Sequence, residues 1–161
     1  MNAGPLLIIW HSRTGTSERL AEASAGAAGA GAMMLRANKA APDDLLGAGG
    51  YLFCCPENLA TMSGEMKEMF DRCYYPLLGK IEGRPYATII AAGSDGEGAQ
   101  SQIDRIATGW RLKRVADPWI VNTDAQKPED ILAPKTVDPG DIDRAGELGA
   151  ALAEGLSQGI F

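Results

Sequence analysis

Apolar and polar positions along this chain switch repeatedly between two periods. Leu6 to Trp10 is a continuous apolar run followed at once by turn-forming residues, which predicts a buried strand. Within Glu18 to Ala28, Leu20, Ser24 and Ala27 recur at helical spacing, and Gly29-Ala30-Gly31 ends that helix. Met33-Met34-Leu35 predicts a short second strand, Asp43 to Leu46 a brief helical turn after Pro42, and Gly50 to Cys54 a third strand. Ser63 opens the clearest helix: Met66, Met69, Phe70, Cys73, Tyr74 and Leu77 form one apolar stripe, with Pro76 near its end. Tyr86 to Ala92 reads as a fourth buried strand, followed by a helix whose stripe is Ala99, Ile103, Ile106, Ala107 and Trp110. Trp119-Ile120-Val121 is a fifth strand. Beyond a Pro-containing stretch from Asp124 to Val137, Asp138 as N-cap and Pro139 at the first helical position start a last helix, with Leu148, Leu152 and Leu156 on one face.

Five apolar strands alternating with amphipathic helices predict an α/β fold, an open five-stranded parallel sheet with helices on both faces. In such sheets ligands sit beyond the carboxyl ends of the strands, where the winding reverses. The 161 residues fit one domain, 1–161, and no internal repeat divides them.

Composition narrows the function. The formal charge of −6 argues against nucleic acid, which demands a basic footprint. The run Pro5 to Trp10 is too short to span a bilayer and has no basic flank, so no membrane role is expected. Three cysteines, two of them the neighbours Cys54 and Cys55, make no disulfide framework and predict a reducing, cytoplasmic setting. One histidine and no CxxC pair leave too few ligands for a metal site.

The densest chemistry follows the first strand. Ser12, Thr14, Thr16 and Ser17 surround Gly15 where strand passes into helix, a composition suited to cradling an oxyanion at the positive end of that helix. Helix capping alone needs one hydroxyl rather than four. No Walker loop is present, and the Gly96-Glu97-Gly98 stretch has Ser101 where a dinucleotide fingerprint needs its third glycine. The stretch Leu7 to Ser17 resembles the flavodoxin signature, a hydrophobic strand ending in [ST]-x-[ST]-G-x-[ST]. That resemblance implies a single flavodoxin-like domain whose first loop holds the phosphate of FMN, with Ser12, Thr14, Thr16 and Ser17 at the phosphate and Arg13 and Gly15 contributing backbone.

Two further loops fall at the same edge of the expected sheet. Cys55 to Met62 is similar to the second flavin loop of small flavodoxin-like reductases; the resemblance implies that Pro56 fixes a turn and that the backbone of Glu57, Asn58 and Leu59 meets the polar edge of the isoalloxazine. A capped loop with Asn58 in a left-handed turn is the alternative reading. After the fourth strand, Gly93, Gly96 and Gly98 permit close backbone approach to a flat ligand, and Ser94 or Asp95 offers hydrogen-bonding groups at its pyrimidine end. Two topological relatives are excluded by residue type. A phosphatase of this winding needs C-x-x-x-x-x-R, but Thr61 lies six after Cys55, and a response-regulator receiver needs a carboxylate where Cys54 and Cys55 stand.

Two classes of activity stay open. Carriers of the flavodoxin type clamp the flavin between aromatic rings and place a glycine beside its N5, whereas Pro56 to Met62 contains neither and Gly93 to Gly98 contains no aromatic residue. An open ring face favours an oxidoreductase that takes hydride from NAD(P)H and reduces a quinone or similar small acceptor. The alternative is a one-electron carrier that docks with redox proteins, and a third reading is an FMN-free scaffold protein. No catalytic side chain is expected in either case. The stretch Asp124 to Val137 reads as a surface excursion, with a lid or dimer contact as alternatives, and the sequence allows a homo-oligomer.

Overall fold

A computed structural model describes residues 4–161, so the first three positions of the expected domain lie outside the described range. Every expected strand and helix is present, most of them extended by a residue or more at their ends. In chain order they are β1 (Leu6–Trp10), α1 (Thr16–Ala28), β2 (Ala32–Arg36), α2 (Pro42–Gly47), β3 (Gly50–Asn58), β4 (Thr61–Met62), α3 (Gly64–Leu77), β5 (Pro85–Ala92), α4 (Glu97–Gly109), β6 (Lys113–Arg114), β7 (Trp119–Asn122), α5 (Pro128–Leu132) and α6 (Pro139–Gln158). Not anticipated were the two-residue strands β4 and β6 and the short helix α5.

The parallel sheet runs β2-β1-β3-β5, and the outer edge of β5 is shared between two strands. β6 pairs with Pro85 and Tyr86 at its start, and β7 pairs with Ile89 to Ala92 at its end. The winding reverses between β1 and β3, which pair along Leu6↔Gly50 to Trp10↔Cys54. That reversal is the switch point at which open α/β sheets bind ligands.

Alternation along the strands assigns the two cores. Leu7 and Ile9 of β1, Tyr51 and Phe53 of β3 and Ile90 of β5 pack with Met66, Phe70, Ile103 and Trp110 of the α3–α4 side. Leu6, Ile8, Leu52, Cys54, Ala87 and Ile89 face Leu20, Ala145, Leu152 and Leu156 of α1 and α6 on the other side. Burying each such Leu or Ile is worth about 1.5–3 kcal/mol, so the continuous apolar runs reflect a sheet covered on both faces. The α1–α6 pair is the closest helix packing: Ser24 Oγ donates to Ala145 O at 2.8 Å. A Cβ on Gly149 would collide with the Ser24 carbonyl.

Among the described residues, the amino-terminal edge of the sheet carries no comparable chemistry. There Gly4, Leu46 to Gly49, Glu82 to Pro85, Leu156 and Phe161 line one shallow depression, bringing the two ends of the described chain together. Arg84 closes this edge by donating to the carbonyls of Leu45 (3.0 Å), Leu46 (2.7 Å) and Ala48 (2.7 Å) at the end of α2.

Candidate functional site

At the carboxyl edge, the first loop leaves β1 with the His11 N–H donating to Cys54 O at 3.0 Å, which ties its entry to β3. Ser12 Oγ then accepts from Gly15 N at 3.1 Å and rounds the loop. Gly15 is the N-cap of α1 at φ 111, a backbone state that side chains disfavour, and it offers no side chain to cap the helix. The first-turn N–H groups of an α-helix have no intrahelical acceptor, so this end of α1 presents them uncapped. Beside them, Thr16 and Ser17 are buried, and Ser17 Oγ has no hydrogen-bond partner among the described residues. Arg13 is exposed.

The second loop departs from expectation. Cys55 to Asn58 continue β3, and Pro56 pairs with Ala91 inside the strand rather than fixing a turn. Pro56 has no N–H to give the ladder, and its carbonyl accepts from Ser63 N at 3.1 Å. The chain reverses instead at Leu59 and Ala60, both with positive φ (53 and 63), in a two-residue hairpin between Asn58 and Thr61. Asn58, the alternative candidate for a left-handed residue, is extended strand. No Gly or Asn marks the actual turn, so turn chemistry could not locate it. Leu59 stands at the tip, 98% exposed.

Glu57 belongs to the frame as well as to the site. Its carboxylate accepts from Gly96 N (2.9 Å) and Ala99 N (3.1 Å), capping α4 and joining the second loop to the third. In the third loop, the glycines are required by protein packing: a Cβ on Gly93 would meet Ala125 O, on Gly96 the Ile120 side chain, and on Gly98 the Ala60 carbonyl. Ser94 and Asp95 are exposed. The carbonyl of Ser94 accepts from Asn122 Nδ2 at 3.3 Å, and Asp95 Oδ1 accepts from Glu97 N at 3.2 Å.

One cavity joins these loops. Of the expected residues, Arg13, Thr14, Thr16, Pro56, Glu57, Asn58 and Gly93 line it, whereas Ser12, Gly15, Ser17, Leu59, Ser94, Asp95 and Gly96 do not reach its wall. A fourth segment completes it with Thr123, Ala125, Ile131 and Lys135. None of these four is a site residue on the sequence reading. The available signal was positional: an excursion leaving the carboxyl end of the last strand starts at the site edge. Next to the first loop, burial pushes the His11 imidazole below its ordinary pKa. Glu65 is held below the usual carboxylate range, chiefly by its hydrogen bond from Arg36 (2.9 Å).

The family model of NADPH-dependent FMN reductases matches residues 14–125, from the first loop to the end of β7 and just beyond. The chain belongs to the NADPH-dependent FMN reductase family. This is a flavodoxin-like, FMN-binding family, and other similarities agree with the membership. A flavodoxin from Aquifex aeolicus (strain VF5) is 30% identical over 99 residues, covering 59% of this chain and 54% of the relative. The chain therefore matches about half the length of that protein. Among solved structures, a flavodoxin from the domain Archaea superposes with a TM-score of 0.76 at 16% identity, covering 94% of this chain and 98% of the other. A flavodoxin, WrbA-like protein from Agrobacterium tumefaciens gives 0.75 at 18% identity, covering 97% and 99%. The flavodiiron protein from Giardia intestinalis gives 0.75 at 17% identity, covering 96% of this chain but 37% of the other. These superpositions establish the fold.

For a member of this FMN reductase family, the first loop has the chemistry that an FMN phosphate requires: an uncapped helix end, Thr14 and Thr16 on the cavity, and the orphaned hydroxyl of buried Ser17. Among the described residues, no group of three or more His, Cys, Asp or Glu is placed to hold a metal ion. No helix among them is long and apolar enough to cross a membrane.

Proposed function

We propose that this chain is an NAD(P)H-dependent FMN oxidoreductase that reduces a quinone or a similar small acceptor by two electrons. Bound FMN would supply the redox chemistry, accepting a hydride from NAD(P)H and delivering two electrons, with protons from water, to the acceptor. The protein's part is to bind, orient and leave access. Thr14, Thr16 and the α1 end would hold the phosphate. The backbone of Glu57, Asn58 and Gly93 would border the ring, with Ser12, Gly15, Ser17, Leu59, Ser94, Asp95 and Gly96 shaping the surrounding loops.

The observation that carries this reading is the makeup of the cavity wall, whose lining residues include no Phe, Tyr or Trp. A ring lying there keeps a face for a nicotinamide or quinone to stack against, and a stacked pair is the geometry that direct transfer needs. The family's description supports a nicotinamide donor in the same direction.

A one-electron carrier is the second reading, favoured by the flavodoxin relative and by the net charge of −6, which can steer a basic redox protein. Steady-state oxidation of NADH and NADPH by the FMN-loaded protein, with and without a soluble quinone, separates the two. Quinone-dependent turnover with either nicotinamide is expected. No reaction with both nicotinamides, together with fast electron exchange with a redox protein, would establish the carrier. We further propose that the chain acts as a single domain in the cytoplasm, since Cys54, Cys55 and Cys73 are free and buried.

A further inference from the structure

We propose that Lys135, on the segment after the last strand, is the cation that reads the phosphate of FMN and gives this protein its preference for FMN over riboflavin. The inference rests on the FMN-binding reading of the site. Lys135 lies outside the signature loop by more than a hundred residues, yet the fold lays it directly on that loop. Its backbone N–H donates to Thr14 O at 2.8 Å. Its ammonium lies 3.4 Å from Thr14 Oγ1 and donates to the carbonyls of Asp130 (2.8 Å), Ile131 (3.0 Å) and Ala133 (2.7 Å). The side chain lines the same cavity as Thr14 and Thr16.

The electrostatics of this placement call for an anion. Among the described residues, the ion pairs are Arg36–Glu65, Lys67–Asp71, Arg72–Glu68 and Arg114–Asp104. Lys135 is half-buried and has neutral partners only. It is held beside the uncapped, positive end of α1, so two positive groups of the protein face one spot from opposite elements. The ammonium is met by carbonyl dipoles and by no carboxylate, and a phosphate lying between it and the α1 end would answer both positive groups at once. The buried, unpartnered Ser17 Oγ at the same helix end is an independent sign of a missing polar partner. The other cation on the cavity, Arg13, is exposed and free to turn to solvent. The three carbonyls take the three N–H donors of the ammonium and fix it beside Thr14, so its charge acts on the cavity from there and a bound phosphate would draw one of those donors from its carbonyl.

Flavin-free full-length protein would be titrated with FMN and with riboflavin, following flavin fluorescence, for the unaltered chain, K135M and K135R. K135M is expected to weaken FMN by about tenfold to a hundredfold, the range of a lost charge-assisted hydrogen bond, and to leave riboflavin unchanged. K135R should recover most of the loss, and FMN binding by K135M should fall less steeply with salt. Were Lys135 only a brace for α5, K135M would weaken both flavins equally; that result, or unchanged FMN affinity, would overturn the proposal. Should K135M not fold, K135Q is read by the same FMN-to-riboflavin ratio. Failure of the unaltered chain to bind either flavin would instead overturn the FMN reading itself.

Discussion

The two ends of the cavity are built on opposite plans. Around the first loop, polar groups are left over: the α1 end has no cap and Ser17 Oγ has no partner, while the charge of Lys135 meets neutral partners only. Around the hairpin and the third loop, polar groups satisfy one another: the Glu57 carboxylate takes the N–H groups of Gly96 and Ala99, and Gln102 Oε1 takes Met62 N at 2.8 Å. Buried polar groups left unpaired cost free energy, so the first plan stores a demand that a ligand can meet, whereas the second, apart from the unpaired Ser63 Oγ behind the hairpin, is closed on itself. Affinity should therefore reside at the phosphate end, while the ring end should act as a rigid border.

Removing the brace at the ring end should have the largest effect. Glu57→Ala leaves two N–H groups at the start of α4 without acceptors and is expected to cost about 2–4 kcal/mol of stability, read by urea unfolding of the flavin-free protein. A loss below about 0.5 kcal/mol would mean that water replaces the carboxylate at no cost and that the ring end is not pre-built. At the phosphate end, Thr14→Ala and Thr16→Ala should each weaken FMN by roughly 1.5–3 kcal/mol, about tenfold to a hundredfold. Riboflavin titrations should show no change for either variant, and equal losses for both ligands would erase the distinction between the ends.

The hairpin turn gives a smaller effect of opposite sign. Leu59 and Ala60 both adopt a left-handed backbone, which L-residues disfavour by roughly 1–2 kcal/mol each. Replacing them with Asn and Gly, the pair preferred in such turns, should raise the unfolding free energy by about 1 kcal/mol. Turnover measured on the same variant would show whether the exposed Leu59 also contributes to substrate access.

The smallest effect concerns pH. Because burial lowers the His11 pKa below its ordinary 6.5, the unfolded chain takes up that proton first, and stability should decline as pH falls from 6.5 toward the folded value. Glu65, held below 4.5 by Arg36, adds stability that is present above 4.5 and disappears at lower pH. His11→Gln should remove the first decline and keep the second; two unchanged declines would place the titration elsewhere.

The frame was readable because burial on both faces imposes continuous apolar runs. Leu6 to Trp10, Gly50 to Cys54 and Tyr86 to Ala92 needed no finer signal, and the stripe from Met66 to Leu77 located α3. The loop at Ser12 to Ser17 stood out because its hydroxyls exceed what capping uses. Turn chemistry failed at Leu59 and Ala60, where tertiary pairing of β3 with β5 and β4 overrides local preference. Local reasoning reads the glycines of the third loop for the approach of a ligand alone, whereas Gly93, Gly96 and Gly98 each also answer to a protein atom across the fold. Lys135 was invisible for the same reason: its significance depends on a neighbour at Thr14, and no local pattern encodes that proximity.

The meeting of Gly4 and Phe161 at the amino-terminal edge of the sheet has a bearing on assembly. The described ends, Gly4 and Phe161, lie at the edge of the sheet opposite the cavity. Such a layout lets a fold be carried as one bead of a longer chain, and the flavodiiron protein of Giardia intestinalis, 37% of which superposes on this chain, has that character. The same adjacency makes the chain a candidate for circular permutation: a short linker could join the old ends, and new ends could open in the exposed turn at Leu78 to Lys80 without touching the first loop, the hairpin or Lys135.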